Sequence, residues 1–226
     1  MVSEFGFNIW RFAAMTMTVA MLSANQARAT EPPQQVTIIA FGDSLTAGYL
    51  LKPAESFAAQ LEPALIAKGH NVKVVNAGVS GDTTAAGLER LAWTLEGGAD
   101  AVILELGAND ALRGIDPTVT RENLDRIIAA IKAKGADVLI AGMRAPANWG
   151  EDYKKTFDGI YPDLAKKHAV ALYPFFLEGV KIDPAFVLSD GLHPTPLGVA
   201  EIVKGILPDA EALVARATAR RSTAKN

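Results

Sequence analysis

The chain has 226 residues, 50% of them apolar and 21% charged, a mixture suited to one folded domain with a sizeable core. It contains no cysteine, which excludes disulfides, thiol nucleophiles, iron–sulfur clusters and thiolate zinc sites. Three histidines (His70, His168 and His193) would nearly all be needed for a multi-histidine metal site, and a net charge of −3 offers no basic surplus for nucleic acid or anionic lipid.

At the N-terminus, Arg11 precedes an apolar run from Phe12 to Leu22, and Ala27-Arg28-Ala29 offers a small-x-small cleavage site. This pattern predicts a secretory signal peptide over residues 1–29 and an exported mature domain, periplasmic or secreted, over residues 30–226. The run is shorter than the roughly 20 apolar residues that span a bilayer, and no later segment predicts an integral span.

Beyond Thr30, short apolar runs alternate with amphipathic stretches. Val36–Phe41, Val72–Asn76, Ala101–Leu106, Asp137–Gly142 and Ala169–Tyr173 read as strands buried on both faces of a parallel sheet. A helix is predicted after Ser56, from Phe57 to Lys68, ending at Gly69. Leu88, Leu91, Ala92 and Leu95 mark a second, at i, i+3, i+4, i+7. Leu124, Ile127, Ile128 and Ile131 mark a third, opened by Asp116-Pro117 and stopped at Gly135. Val199, Ile202, Val203 and Ile206 repeat the stripe, and the tail from Ala215 reads as a fraying helix end. Pro63 and Pro162 predict kinks or later starts in two helices. The alternation defines an α/β domain with a central parallel sheet and helices on both faces.

In such a sheet the ligand site lies beyond the carboxyl ends of the strands, where strand order reverses. The unusual residues fall there. Gly42-Asp43-Ser44 follows the first strand, Ser80-Gly81-Asp82 the second, Gly107-Ala108-Asn109-Asp110 the third, and Asp190-Gly191-Leu192-His193-Pro194 comes some way after the fifth. With thiols excluded, the candidate nucleophile is the hydroxyl of Ser44, and Ser80 is a rival that no motif singles out. His193 is the only histidine on this edge and Asp190 could orient its ring. Gly81 and the Ser44 amide offer backbone N–H donors and Asn109 a side-chain amide for an oxyanion. Asp43, Asp82 and Asp110 sit in tight turns, where carboxylates bind local N–H groups, so no metal site is predicted. His70 and His168 read as structural.

Phe41-Gly42-Asp43-Ser44-Leu45-Thr46-Ala47-Gly48, Ala77-Gly78-Val79-Ser80-Gly81-Asp82-Thr83, Leu106-Gly107-Ala108-Asn109-Asp110 and Asp190-Gly191-Leu192-His193-Pro194 resemble, in order, the four blocks of the SGNH (GDSL) hydrolases. The chain looks most like the periplasmic thioesterase I/lysophospholipase L1/arylesterase group, over nearly all of residues 30–226. The resemblance implies a flavodoxin-like three-layer α/β/α sandwich on a five-stranded parallel sheet. It also implies a Ser44–His193–Asp190 triad, an oxyanion hole of Ser44, Gly81 and Asn109, small acyl-ester or thioester substrates, and no cofactor. Leu112, Met143, Pro146 and Trp149 are the candidate substrate-binding residues, whose packing would set the pocket depth; in related enzymes the loop after the fourth strand, which carries the last three, is the mobile wall of the acyl pocket. Trp149 and the acidic Glu151-Asp152 are the departures noted there. The α/β-hydrolases are a poorer fit, since Thr46 stands where their Gly-x-Ser-x-Gly elbow needs its last glycine. An acyl or lipid carrier that kept the pocket would be expected to have lost the serine, the histidine or an oxyanion donor; none is replaced.

Overall fold

β1 (Val36–Gly42) pairs on one side with β2 (Val72–Gly78) and on the other with β3 (Ala101–Glu105). β4 (Asp137–Ala141) and β5 (Ala171–Tyr173) complete a five-stranded parallel sheet in the order β2-β1-β3-β4-β5. These come from a computed structural model that describes Met1 and residues 34–224. Apart from Met1, the expected signal segment lies outside the described residues.

The helices, in chain order, are α1 (Ser44–Ala47), α2 (Phe57–Ala67), α3 (Thr84–Thr94), α4 (Ala108–Leu112), α5 (Pro117–Ala133), α6 (Glu151–Asp158), α7 (Ile160–His168) and α8 (Pro196–Ala224). α2 and α8 pack together on one face, and α8 crosses β1, β3, β4 and β5; α3, α5 and α7 cover the other face. The result is a three-layer α/β/α fold. Among the described residues, no helix is long and apolar enough to cross a membrane.

β1, β3 and β4 are almost wholly buried, as their continuous apolar runs require. β2 differs from expectation. It is an edge strand, with Val72 and Val74 buried and Lys73 and Val75 exposed. Glu62 of α2 accepts the Val74 N–H at 2.7 Å, which occupies a donor on the free edge.

The apolar stripe of α5 is buried at Leu124, Ile127, Ile128 and Ile131, and its Asp116 cap accepts from Thr118 N at 2.8 Å. In α3 the inward face is Gly87, Leu88 and Leu91, continued by Leu95; Ala92, predicted inward, is exposed. Pro63 sits inside α2, which runs on from Phe57 to Ala67 without starting later. At Pro162 the helix does start afresh: α6 ends at Asp158 and α7 begins at Ile160, so the proline occupies a first turn, where its missing N–H costs no intrahelical bond. The C-terminal tail corrects the sequence reading. α8 continues to Ala224, and Arg220 bonds Asp137 Oδ2 at 3.0 Å and the Asp100 carbonyl at 2.7 Å. Arg221 adds Asp100 Oδ2 at 2.8 Å, so the tail is fastened to the N-terminal ends of the strands instead of fraying.

Candidate active site

The strand order reverses between β1 and β3, and the loops leaving these strands carry Ser44 and Asn109. β1 runs directly into α1. Asp43 caps that helix by accepting the Leu45 N–H at 3.0 Å, which fixes Ser44 as its first residue. Gly42 is required for lack of space: a Cβ there would lie 2.6 Å from the Glu105 carbonyl and closer still to Thr46 Oγ1. Arg90 draws the same turn toward the β2 loop. Its guanidinium lies 4.1 Å over the Phe41 ring and bonds the Gly42 carbonyl at 2.9 Å and Asp82 Oδ2 at 2.6 Å.

His193 arrives from the far end of the chain. Its Nε2 is 2.8 Å from Ser44 Oγ and its Nδ1 2.7 Å from Asp190 Oδ2. Asp190 Oδ1 accepts the backbone N–H groups of Leu192 and His193 at 2.9 and 3.0 Å, so residues 190–193 close on themselves around the carboxylate. Those two amides, and then the His193 ring, lower the Asp190 pKa to about 2. Tyr49 packs on the open side of the imidazole, ring centroids 4.5 Å apart.

Asn109 follows Gly107, whose φ of +118° suits a residue without a side chain; the buried Tyr161 hydroxyl bonds the Leu106 carbonyl beside it at 3.1 Å. The Asn109 amide donates to Asp43 Oδ2 at 3.1 Å and to the Asp82 carbonyl at 3.0 Å, linking all three loops. Gly81, at φ +89°, has its carbonyl held by Arg113 at 3.0 Å, and its N–H donates to no acceptor among the described residues. Ser80, beside it, is exposed and makes no hydrogen bond to a histidine.

Two buried carboxyl groups lie beneath Ser44. Glu105 Oε2 accepts from Thr46 Oγ1 at 2.8 Å and from Asp43 N at 3.3 Å, while Oε1 has no hydrogen-bond partner among the described residues. Burial, reinforced by Asp43, pushes Glu105 well above the usual carboxylate range and favours its neutral acid. Burial likewise raises Asp43 to about 6, against the lowering effect of its bonds from Leu45 and Asn109. The other acidic groups of these loops are spoken for: Asp82 by Arg90, and Asp110 by the N–H and hydroxyl of Thr84 at 2.9 and 2.6 Å. His70 and His168 pair with Glu211 and Asp125, at 3.4 and 2.6 Å.

A cleft of about 600 Å³ opens beside Ser44 and His193, within the usual size for a small-molecule site. Leu112, Met143 and Pro146, three of the four residues offered for substrate binding, line it together with Asn109. Trp149 is not among its lining residues. The half-exposed indole donates to the Ala111 carbonyl at 2.8 Å and packs over Gly114, so it is fastened to the segment that carries Leu112. The sequence reading missed Arg144, Phe175, Leu177, Ile182 and Leu192, which also line the cleft. Leu192 could have been found, since it lies between Asp190 and His193.

Fold and site together define an SGNH hydrolase, an enzyme class built on this sheet and these loops. The chain belongs to the GDSL-like lipase/acylhydrolase family, which matches residues 40–200. It is 45% identical over 160 residues to an arylesterase of Vibrio mimicus, covering 70% of this chain and 80% of that protein. It is 38% identical over 188 residues to the thioesterase 1/protease 1/lysophospholipase L1 of Escherichia coli (strain K12), covering 83% and 86%. The crystal structure of AlinE4, an SGNH-hydrolase family esterase, superposes with a TM-score of 0.68 at 45% identity, covering 80% of this chain and 97% of that one.

Proposed function

We propose that this protein hydrolyses carboxylic esters and thioesters through an acyl-enzyme on Ser44. His193 Nε2 removes the Ser44 Oγ proton as the oxygen attacks the substrate carbonyl. The amides of Ser44 and Gly81 and the side chain of Asn109 receive the oxyanion. The imidazolium then protonates the departing alcohol or thiol. Water, deprotonated by His193, attacks the acyl-enzyme and releases the acid. Asp190 keeps the Nδ1 proton on His193 and offsets the imidazolium charge. No step needs a metal or organic cofactor.

The observation that carries this reading is the unbroken chain from Ser44 Oγ through the imidazole to Asp190, at 2.8 and 2.7 Å. The relatives named arylesterase and thioesterase 1/lysophospholipase L1 support ester and thioester substrates. Residues 1–29 would direct the enzyme out of the cytoplasm. The test is turnover of p-nitrophenyl esters and an acyl-CoA by the wild type and by Ser44→Ala. The reading expects wild-type hydrolysis and a loss of several orders of magnitude in the variant. Tight binding of these compounds without turnover would instead indicate an acyl carrier.

A further inference from the structure

The cleft wall is apolar along most of its length. Leu112, Met143, Pro146, Leu177, Ile182 and Leu192 would suit any uncharged acyl or aryl group. Apart from Ser44, Asn109 and His193, one polar side chain breaks this lining, and it carries a fixed positive charge: Arg144.

A cation on an apolar wall is normally neutralised by a close carboxylate or turned out to solvent. Arg144 does neither fully. Its guanidinium lies 4.4 Å over the Phe175 ring, itself part of the lining, which fixes the plane of the group at the cleft. Among the described residues its one ion pair is with Glu178, at 3.4 Å, between side chains that are 52% and 60% exposed. Such a long, solvated pair is weak. The remaining guanidinium N–H donors have no partner among the described residues. The nearby Asp158 is not a competitor, because it accepts the Ala145 N–H and pairs with Lys154. A planar donor set held by an aromatic ring and only loosely paired matches the geometry with which arginine takes a carboxylate or phosphate in two parallel hydrogen bonds.

We infer that Arg144 forms an anion subsite in the cleft, and that substrates with a carboxylate or phosphate remote from the scissile carbonyl are favoured over neutral ones of the same length. The inference rests on the proposed cleavage of esters at Ser44 and names the substrate class of that same cleft. The anionic group could lie on the acyl chain or on the leaving group, and Glu178 is the intramolecular competitor that it displaces.

The test compares two substrate pairs. Mono-p-nitrophenyl adipate and p-nitrophenyl hexanoate differ by a terminal carboxylate on the acyl chain. 4-(Hexanoyloxy)benzoate and phenyl hexanoate differ by a carboxylate on the leaving group. The readout is the charged-to-neutral ratio of kcat/KM within each enzyme, so a general loss of activity cancels. In at least one pair, Arg144→Leu is expected to lower this ratio about tenfold, chiefly through KM, the scale of a charge-assisted bidentate contact. Glu178→Gln is expected to raise it, and added salt to shrink it in the wild type. The responding pair identifies which side of the substrate carries the anion. Ratios that are the same in wild type, Arg144→Leu and Glu178→Gln for both pairs would overturn the inference while leaving ester hydrolysis intact. Failure of the wild type to cleave any of the four esters would instead overturn the proposed function, and the inference with it.

Discussion

Nδ2 of Asn109 lies 3.1 Å from Oδ2 of Asp43, so the proposed oxyanion donor and the residue preceding the proposed nucleophile are tied to each other. The second amide hydrogen goes to the Asp82 carbonyl at 3.0 Å. Asn109 is thus held by two acceptors of the protein itself, and in the proposed mechanism it would stabilise an oxyanion by sharing one of these hydrogens. Asn109→Ala is expected to lower kcat on p-nitrophenyl esters by about 10²–10³, the usual cost of one oxyanion donor. Asp43→Asn would set an amide donor against either Leu45 N–H or the Asn109 amide. It should lower kcat with the fold retained, as judged by circular dichroism. A loss below tenfold for Asn109→Ala would remove that side chain from the mechanism.

Asp190 can be separated into its two tasks. Oδ1 closes the local turn, whereas Oδ2 meets the imidazole. Asp190→Asn keeps an oxygen for the turn but can present an amide N–H to Nδ1, which favours the tautomer unable to accept the Ser44 proton. In a Ser-His-Asp protease the equivalent change costs about 10⁴ in kcat, and a loss of that order is expected here. Because the carboxylate is held at about 2, below its ordinary 3.8, its support of the turn is present in full above pH 3.8 and is lost only as pH falls through about 2. Asp190 therefore does not set the acid limb of activity measured between pH 5 and 8.

The buried pair works in the opposite sense. Glu105 binds its proton more tightly in the folded protein than at its ordinary 4.5, so its contribution is most favourable below pH 4.5 and erodes as pH rises. Asp43 adds the same trend between 3.8 and about 6. A group protonated when folded and ionised when unfolded costs about 1.4 kcal/mol per pH unit across its window. Glu105→Gln, which cannot ionise, should flatten the decline of stability between pH 5 and 8 in urea titrations. An identical slope in wild type and variant would show that Glu105 is charged in the folded protein.

Gly42 gives a purely steric prediction. A Cβ would press on the Glu105 backbone oxygen at 2.6 Å, a contact that no side-chain rotation relieves. Gly42→Ala should destabilise the fold by about 3 kcal/mol or more and depress activity beyond that, since the displaced turn carries Ser44. Normal stability with lost activity would mean that the turn moves more easily than its packing implies.

The candidate site is legible in the sequence because parallel strands deliver their loops to one edge: glycines, Ser44, Asn109 and His193 stand out there against apolar runs. The edge position of β2 was less legible, since Val72, Val74 and Val75 look like any buried strand until Lys73 and its neighbours are placed. Long-range pairing hid other features. The tail looks like a fraying end in sequence because the acceptors of Arg220 and Arg221, Asp100 and Asp137 among them, lie far away along the chain. Glu105 sat inside a strand pattern, and only the packing of Asp43 and Thr46 above it reveals a buried acid. Trp149 lies in the expected wall loop, but its indole is bonded to the Ala111 carbonyl and does not line the cleft. Nothing in the sequence marks Arg144, because its setting depends on Phe175 and Glu178, over thirty residues on.

Reaction with a p-nitrophenyl phosphonate, followed by peptide mass mapping, tests the assignment of the nucleophile most directly. The account predicts one phosphonyl group per chain, attached to Ser44, with loss of esterase activity in proportion to labelling and labelling greatly slowed by His193→Ala. Stoichiometric labelling at another residue, or full activity in protein labelled at Ser44, would contradict it.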